Sequence, residues 1–407
     1  MSLFFTIFSL LGFQTSKLNP ACEANRLKLN AYCFAVCILA ICSVSYAEDT
    51  NPLNKRIVER LTADQNEPAW RAFNISTVEN YVIPNYKGLA TANSDLYLST
   101  QTFCKRLSSP NTNELQVSFS MTKKAFHRSM DAWQVVQNTY FGPIEYGMRH
   151  HSIHFWPDKK NHIGRQLNKL IASQDETALT VDGFEKNSVS VKGLPAIERL
   201  LFNSAPLDMF KQTPFACEVL QGISRYLSDT ANALHDEWVT SMLPQFKDAK
   251  QLDGYFEDDI DASTALLKTL VEPIEVIRDL KLDRPLGTQF DKVKFKRLES
   301  WRSKRSLTNL QLNIQSLESL FLGTSSHHAG LRSLLTPSEV TSILNDFNFV
   351  KQALSKIEPP LEEAILTESG YQIAKSISAS LTNLHSSLES AITQTGIRLG
   401  FNSRDGD

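Results

Sequence analysis

Apolar residues recur at alternating steps of three and four in three stretches of the C-terminal half, residues 307–321, 340–357 and 373–392. An α-helix places residues at these steps on one face, whereas a half-buried strand needs strict alternation. The resulting apolar stripe is narrow, which is typical of helices that pack nearly parallel in a bundle. The spacing therefore predicts three helices of one bundle and constrains the fold more strongly than any other feature of the sequence.

The ends of these predicted helices carry matching signals. The middle helix opens with Thr336-Pro337-Ser338-Glu339, which predicts an N-cap threonine, a proline in the first turn and a capping-box glutamate. Pro359-Pro360 ends it because proline cannot continue the hydrogen-bond ladder of a helix. Gly396 offers a C-cap for the last helix, which we expect over residues 371–395.

The N-terminal half shows the same helical spacing in residues 122–141 and 217–242. Only Ser188-Val189-Ser190-Val191 reads as a short extended piece. The low counts of glycine and proline, 16 of each in 407 residues, favour long helices with few turns. The sequence therefore predicts an all-α fold with two side-by-side helical bundles, 67–248 and 249–407. A duplication of one bundle is left open.

The N-terminal segment has the features of an export signal. Residues 31–44 form an apolar run that is too short for a comfortable membrane span, and basic residues precede it. Ser45-Tyr46-Ala47 follows with small residues where a cleavage site needs them, so we expect a signal peptide over 1–47 and a polar leader over 48–66. A retained anchor helix is the alternative.

Six cysteines divide between the predicted signal peptide and the rest of the chain. Only Cys104 and Cys217 remain after cleavage, and in an exported protein two cysteines most simply form one disulfide. Two buried free thiols are the alternative. Lipidation of Cys42 is a less favoured alternative to simple cleavage of the signal peptide, because Ile41 occupies the position where a lipobox needs a small residue.

Charge and motifs exclude several functions. The net charge of −2 gives no basic field that would indicate nucleic acid as a partner. The sequence also lacks the His-Glu-x-x-His zinc helix, the Gly-x-Ser-x-Gly elbow and the phosphate-binding loop. An enzyme of this sequence would need a less familiar arrangement of residues.

Residues 141–166 hold the densest group of polar and aromatic side chains. If residues 145–154 are helical, Glu145 and Arg149 share one face, and so do His150 and His154. A histidine pair at this spacing makes a weak candidate metal site, with Glu198 as a further candidate ligand. The alternative is a solvated polar stretch that contains a buried Arg–Glu pair.

Two further segments hold candidate binding residues. A helix begins after Gly193, and its first turns contain Glu198 among apolar neighbours, where the carboxylate has either a structural partner or a ligand. Trp301 and Arg302 offer an aromatic wall and a guanidinium that could bind an anion, although core packing explains them equally well.

Several motifs resemble one known family. Phe155-Trp156-Pro157-Asp158, Val191-Lys192-Gly193-Leu194-Pro195-Ala196-Ile197-Glu198, Lys281-Leu282…Arg284-Pro285-Leu286-Gly287 and Trp301-Arg302-Ser303 are similar in order to the imelysin-like family, in its predicted periplasmic lipoprotein branch. The resemblance covers about residues 68–407 and implies two helical bundles with a functional site at their interface. The family's Gly-x-His-x-x-Glu signature matches at Gly193 and Glu198, but Pro195 takes the place of the histidine.

The resemblance also implies a function. The family includes periplasmic components of iron uptake and an insulin-cleaving metallopeptidase, and loss of the motif histidine disfavours a peptidase here. We therefore expect a periplasmic binding or accessory protein, with iron or another divalent metal carried by a small ligand in a cleft between the bundles. Its expected partner is an uptake component of the inner or outer membrane. A metallopeptidase and a helical interaction module without catalytic activity are the alternatives. The expected lining is Glu145, Arg149, Trp156, Glu198, Trp301 and Arg302.

Overall fold

Helices make up the regular structure of the residues that the computed structural model describes, 66–251 and 253–400. Within these residues the single β element is an isolated bridge between Ser325 and His328. The all-α prediction is therefore confirmed. The predicted signal peptide, Cys42 and the polar leader up to residue 65 lie outside the described residues.

Thirteen helices follow one another in the described part of the chain, and we number them α1 to α13. They are α1 (Glu67–Thr77 and Ile83–Lys105, joined by a π turn at Val78–Val82), α2 (Thr112–Val136), α3 (Arg149–Ile153), α4 (His162–Ser173), α5 (Val181–Glu185), α6 (Leu194–Leu201), α7 (Pro206–Gln212), α8 (Phe215–Glu237 and Leu243–Lys247, joined by a π turn at Trp238–Met242), α9 (Asp259–Glu275 and Arg284–Leu286, joined by a π segment at Val276–Asp283), α10 (Ser306–Leu322), α11 (Pro337–Ser355), α12 (Leu361–Ala364) and α13 (Glu368–Gln394).

The three helices predicted in the C-terminal half are confirmed as α10, α11 and α13. The capping box at the start of α11 is also present, since the Thr336 side chain accepts from the Glu339 N–H and the Glu339 carboxylate accepts from the Thr336 N–H. The expected extended piece at Ser188–Val191 is wrong. Val189–Val191 form one turn of 3-10 helix, because the Ser188 side chain caps its first turn by accepting from the Ser190 N–H.

Each of the three interrupted helices widens into a π segment directly before a proline: Pro84 in α1, Pro244 in α8 and Pro285 in α9. Proline has no N–H, and its ring clashes with the carbonyl four residues earlier in a regular helix. The π geometry moves that carbonyl aside and lets the helix continue. The carbonyl of Asn80, four residues before Pro84, accepts instead from the Thr324 hydroxyl at 3.2 Å.

The helices of the N-terminal and C-terminal halves pack against each other. The second segment of α1 packs against α2 and α8, whereas α13 packs against α9 and α11. The first segment of α1 lies against α9, and α2 lies against α10. The predicted division at 248–249 falls in the connection between α8 and α9 and stays a prediction. None of the described helices is long and apolar enough to cross a membrane.

The predicted disulfide is confirmed. Cys104 lies near the end of α1 and Cys217 at the start of α8, with their Cα atoms 5.7 Å apart. The bond therefore fastens together two helices that pack along their lengths. It spans a sequence separation of 113 residues, which removes much chain entropy from the unfolded state.

Replacing both cysteines, Cys104→Ser with Cys217→Ser, should lower the free energy of unfolding by about 4 kcal/mol, because the unfolded chain regains the freedom of a long loop. Denaturant unfolding of the oxidised protein and of the double variant measures the difference. Reduced wild-type protein should unfold like the double variant. A loss below ~1 kcal/mol would show that the bond contributes little constraint.

Candidate functional site

A cavity of about 730 Å³ lies where α6 faces the segments 156–163 and 293–302. Four of the six predicted ligand-binding residues line it: Trp156, Glu198, Trp301 and Arg302. They come from three separated segments, so only the tertiary fold brings them together. We call this space the basic cavity because of the charges described below.

Glu145 and Arg149 do not line the basic cavity. The Glu145 carboxylate accepts from the Gly142 N–H at 2.8 Å and from the Tyr255 hydroxyl at 2.7 Å. Arg149 donates to both carboxylate oxygens of Glu237 on α8. Both side chains therefore hold the 142–149 segment against its neighbours.

The helix that would have paired these two residues does not form. Gly147 and Met148 adopt left-handed backbone angles, with φ of 61° and 58°, so that α3 begins only at Arg149. The prediction that Glu145 and Arg149 share one helix face is therefore wrong. A half-buried Arg–Glu pair does occur, but the partner of Arg149 is Glu237.

Gly193 brings α6 close to the backbone of α3. A Cβ atom at this position would lie 2.3 Å from the Ile153 carbonyl oxygen and 2.5 Å from that of Ser152. Since these are backbone atoms, a larger side chain would force the two segments apart. The close approach sets α6 so that Pro195 and Glu198 face the basic cavity.

Glu198 fastens the loop that carries Trp301 and Arg302. The side chain is only 4% exposed, and its Oε1 accepts from the Ser303 N–H at 2.9 Å and from the Ser303 hydroxyl at 2.7 Å. Burial raises the pKa of the Glu198 carboxyl, although these two hydrogen bonds and the nearby Arg302 work in the opposite direction. Glu198 thus acts as a positioning residue for the opposite wall of the cavity.

The loop from Leu298 to Arg305 has a shape that the sequence pattern did not indicate. Ser300 and Lys304 both take left-handed backbone angles, with φ of 55° at each. Between them the Arg302 guanidinium lies 4.3 Å from the centre of the Trp301 ring. The predicted combination of an aromatic wall and a guanidinium therefore exists as a stacked pair, which is a favourable geometry for arginine.

The lining of the basic cavity carries seven cationic side chains and two carboxylates. The carboxylates are those of Asp158 and Glu198. The cationic side chains are those of Lys159, Arg199, Arg284, Lys294, Lys296, Arg297 and Arg302. A concave surface with this excess of positive charge attracts anions.

A second cavity of about 550 Å³ adjoins the first, and we call it the histidine cavity. His150, His151 and His154 line it, and His154 lines the basic cavity as well. Burial lowers the pKa of His154 to about 4, so this imidazole is neutral at neutral pH. Trp156 and Pro157 form the rest of the wall that both cavities share.

The three candidate metal ligands lie in different surroundings. Glu198 faces the basic cavity and bonds to Ser303, whereas the His150 ring packs 4.5 Å from the Tyr140 ring in the histidine cavity. The Nε2 atom of His154 lies 3.6 Å from the Glu299 carboxylate. Across residues 66–251 and 253–400, no three histidine, cysteine or acidic side chains are grouped so that they could hold a metal ion.

A buried ion pair, Lys281 with Glu299, lies beneath the shared wall. The ammonium of Lys281 donates to Glu299 Oε2 at 2.9 Å and to Asn313 Oδ1 at 2.7 Å, and the Gln134 side-chain oxygen lies at 2.9 Å. Burial alone would raise the pKa of Glu299, but Lys281 and a hydrogen bond from Asn309 hold it below its usual value. The carboxylate therefore stays ionised. Burial lowers the pKa of Lys281, and the negative charge of Glu299 works in the opposite direction.

The comparisons with known proteins agree with this architecture. Residues 82–388 match the family model Imelysin (Peptidase_M75). The chain belongs to the imelysin family. Among curated proteins, none matches this sequence significantly.

Two solved structures share the imelysin fold of this chain. An imelysin-like protein from Psychrobacter arcticum has a TM-score of 0.63 at 17% identity, with 82% of this chain and 98% of that chain covered. A protein from Parabacteroides distasonis, described as an iron-regulated protein A precursor, has a TM-score of 0.66 at 16% identity, with 81% and 95% covered.

Replacing Glu198 with glutamine should change how stability depends on pH. Because burial raises the pKa of this carboxyl above its ordinary value of 4.5, ionisation favours the unfolded chain. The contribution of the Glu198 carboxyl to wild-type stability is fully present below pH 4.5. It is lost as the pH rises through the pKa that this carboxyl has in the folded protein. The glutamine keeps an oxygen for Ser303, so the stability of Glu198→Gln relative to wild type should rise between pH 4 and 7.

Urea unfolding at several pH values measures this difference. Glu176→Gln, at an exposed carboxylate, is the matched control for loss of one charge. A constant difference between Glu198→Gln and wild type across this range would contradict the expected pKa shift.

Replacing Lys281 with methionine should cost about 3–5 kcal/mol of stability, because Glu299 is then a buried charge without its cation. Adding Glu299→Gln to the same chain should recover part of that loss. The exposed pair Lys304–Glu363 gives the control, since Lys304→Met should cost under ~1 kcal/mol. Equal costs at the two lysines in denaturant unfolding would show that the buried pair is not coupled.

Proposed function

We propose that this imelysin-family chain is an exported ligand-binding protein of iron acquisition, which holds a small or metal-bearing ligand in the basic cavity. The observation that carries the proposal is the convergence of Trp156, Glu198, Trp301 and Arg302 on one concave space. A cavity of this size with aromatic walls and a few placed polar groups is typical of small-molecule sites. The histidine cavity lies on the other side of the wall that His154, Trp156 and Pro157 form.

The link to iron rests on the relatives. The structure from Parabacteroides distasonis is described as an iron-regulated protein A precursor, and the fold is shared over most of both chains. Its description as a precursor agrees with the signal peptide that the first 47 residues of this chain predict. We therefore propose the periplasm as the compartment and an uptake component of the inner or outer membrane as the partner.

The side chains that line the basic cavity have different roles in binding. The Trp156 and Trp301 rings would stack on flat parts of the ligand, and Arg302 would bind a carboxylate or phosphate group with paired hydrogen bonds. Glu198 serves mainly by holding Ser303, and with it the adjacent Trp301 and Arg302, in place. This arrangement needs no chemical step, which favours binding over catalysis.

The family name leaves a metallopeptidase as the second candidate. Such an enzyme would need a metal ligand or a base near Glu198, where Pro195 takes the position of the signature histidine. An activity of this kind would have to recruit His154, whose pKa of about 4 leaves it a neutral imidazole that could serve as a ligand or a base. A helical interaction module without a small-molecule site is the third candidate.

Purified wild-type protein should retain iron that is supplied as a chelate, and the double variant Trp301→Leu, Arg302→Gln should bind this chelate at least ~10-fold more weakly. Loss of a charge-assisted hydrogen bond costs about 1.5–3 kcal/mol, and 1.4 kcal/mol is a factor of ten in affinity. Equilibrium dialysis with radioactive iron measures the binding. Arg128→Gln, at an exposed arginine away from both cavities, should bind like wild type.

Two results would contradict the binding proposal. The first is no retained iron in any form, or retention that is equal in the cavity variant. The second is metal-dependent cleavage of an unfolded protein that is lost in Glu198→Ala, which would make the chain a peptidase. Capture of a membrane protein in the absence of any bound ligand would favour the interaction module.

A further inference from the structure

Two arginines on one side of the basic cavity have no acidic partner. Arg284, at the end of α9, and Arg297 both line the cavity. The backbone brings their segments together, because the Lys294 N–H donates to the Pro285 carbonyl at 2.8 Å. Burial lowers the pKa of Arg284, and the positive charge of Arg297 adds to the lowering. Among the described residues, no carboxylate forms an ion pair with either one.

A second pair of arginines, Arg199 and Arg302, lines the same cavity. Arg199 donates to the neutral side-chain oxygen of Asn161 at 3.0 Å. Burial lowers the pKa of Arg302, and repulsion from Arg199 lowers it further. The carboxylate of Glu198 raises this pKa and so works in the opposite direction. The guanidinium of Arg302 rests on the Trp301 ring, 4.3 Å from its centre.

The composition of the chain does not account for this local charge. The whole sequence has a net charge of −2, yet the cavity gathers seven cations against two carboxylates. Burial also disfavours the charged form of one of those carboxylates, Glu198. Like charges that lie close together repel each other, and an anion bound among them would reduce that repulsion.

From these contacts we infer that the ligand of the basic cavity is a compact polyanion with at least two carboxylate or phosphate groups. One group would bind between Arg284 and Arg297, and another between Arg199 and Arg302. The inference rests on the proposed function, because it names the class of ligand for the same site. Arginine suits both anions, since its planar fork donates two parallel hydrogen bonds to either one.

The size of the cavity agrees with a ligand of several anionic groups. A volume of about 730 Å³ exceeds what a single phosphate or acetate fills. Oxygen atoms of carboxylates and phosphates also bind hard metal cations. A polyanion that carries iron would therefore satisfy the cavity and the proposed role together.

Calorimetry on the full exported chain tests the inference with three probes: citrate, pyrophosphate and acetate. At least one of the two polyanions should bind, and acetate should bind at least ~30-fold more weakly, because it can occupy only one arginine pair. Arg284→Gln with Arg297→Gln should weaken polyanion binding at least ~10-fold. Lys124→Gln with Arg128→Gln, at exposed residues of α2, changes the net charge equally and should alter binding less than ~2-fold.

The outcomes separate this inference from the proposed function. Binding of citrate alone or pyrophosphate alone supports the polyanion and identifies carboxylate or phosphate as its group. Equal weakening in the two double variants would overturn it, because a general field rather than a site would then attract the anion. Retention of an uncharged iron chelate that the Trp301→Leu, Arg302→Gln double variant weakens, with no polyanion bound at millimolar concentration, would overturn the polyanion but keep the proposed function. If neither iron nor any probe binds, both fail.

Discussion

The buried pair Lys281–Glu299 is the interaction on which the arrangement of the site depends. Lys281 belongs to the π segment of α9, and Glu299 begins the loop that enters α10. Gln134 on α2 and Asn313 on α10 complete the bonds of the ammonium group. Because a buried charge is costly without its partner, this pair and the two side chains around it hold four elements in one relative position. Any other placement of the loop would leave an ion unpaired in the interior.

The loop that carries Trp301 and Arg302 is therefore fixed at two points. Glu299 holds it from within, through Lys281, and Glu198 holds it from α6, through Ser303. Two acidic residues thus serve as anchors, which leaves the aromatic and cationic side chains between them to meet a ligand. Glu198 thus has a structural task in this chain, which is to hold Ser303.

The sequence could predict the helices because their signals are local. The apolar spacing, the capping box of α11 and the prolines all act within a few residues. The interruption at Gly147 and Met148 was missed, since two consecutive left-handed residues have no apolar pattern. Lys281 did leave a signal, because it continues the spacing of Ile274 and Ile277 on a buried face, where a charge needs a partner. Its partner Glu299 is fixed only by the tertiary fold.

The charge of the basic cavity could not be predicted for a related reason. A net charge averages over the whole surface, and −2 describes a nearly neutral chain even where the fold gathers several arginines in one hollow. Arg284 follows a π segment and Arg297 lies in a short 3-10 turn, so no periodicity in the sequence relates them. Their common property is that neither forms an ion pair with a carboxylate among the described residues. Arginines gathered in one hollow repel each other, and an anion that enters the cavity reduces that repulsion.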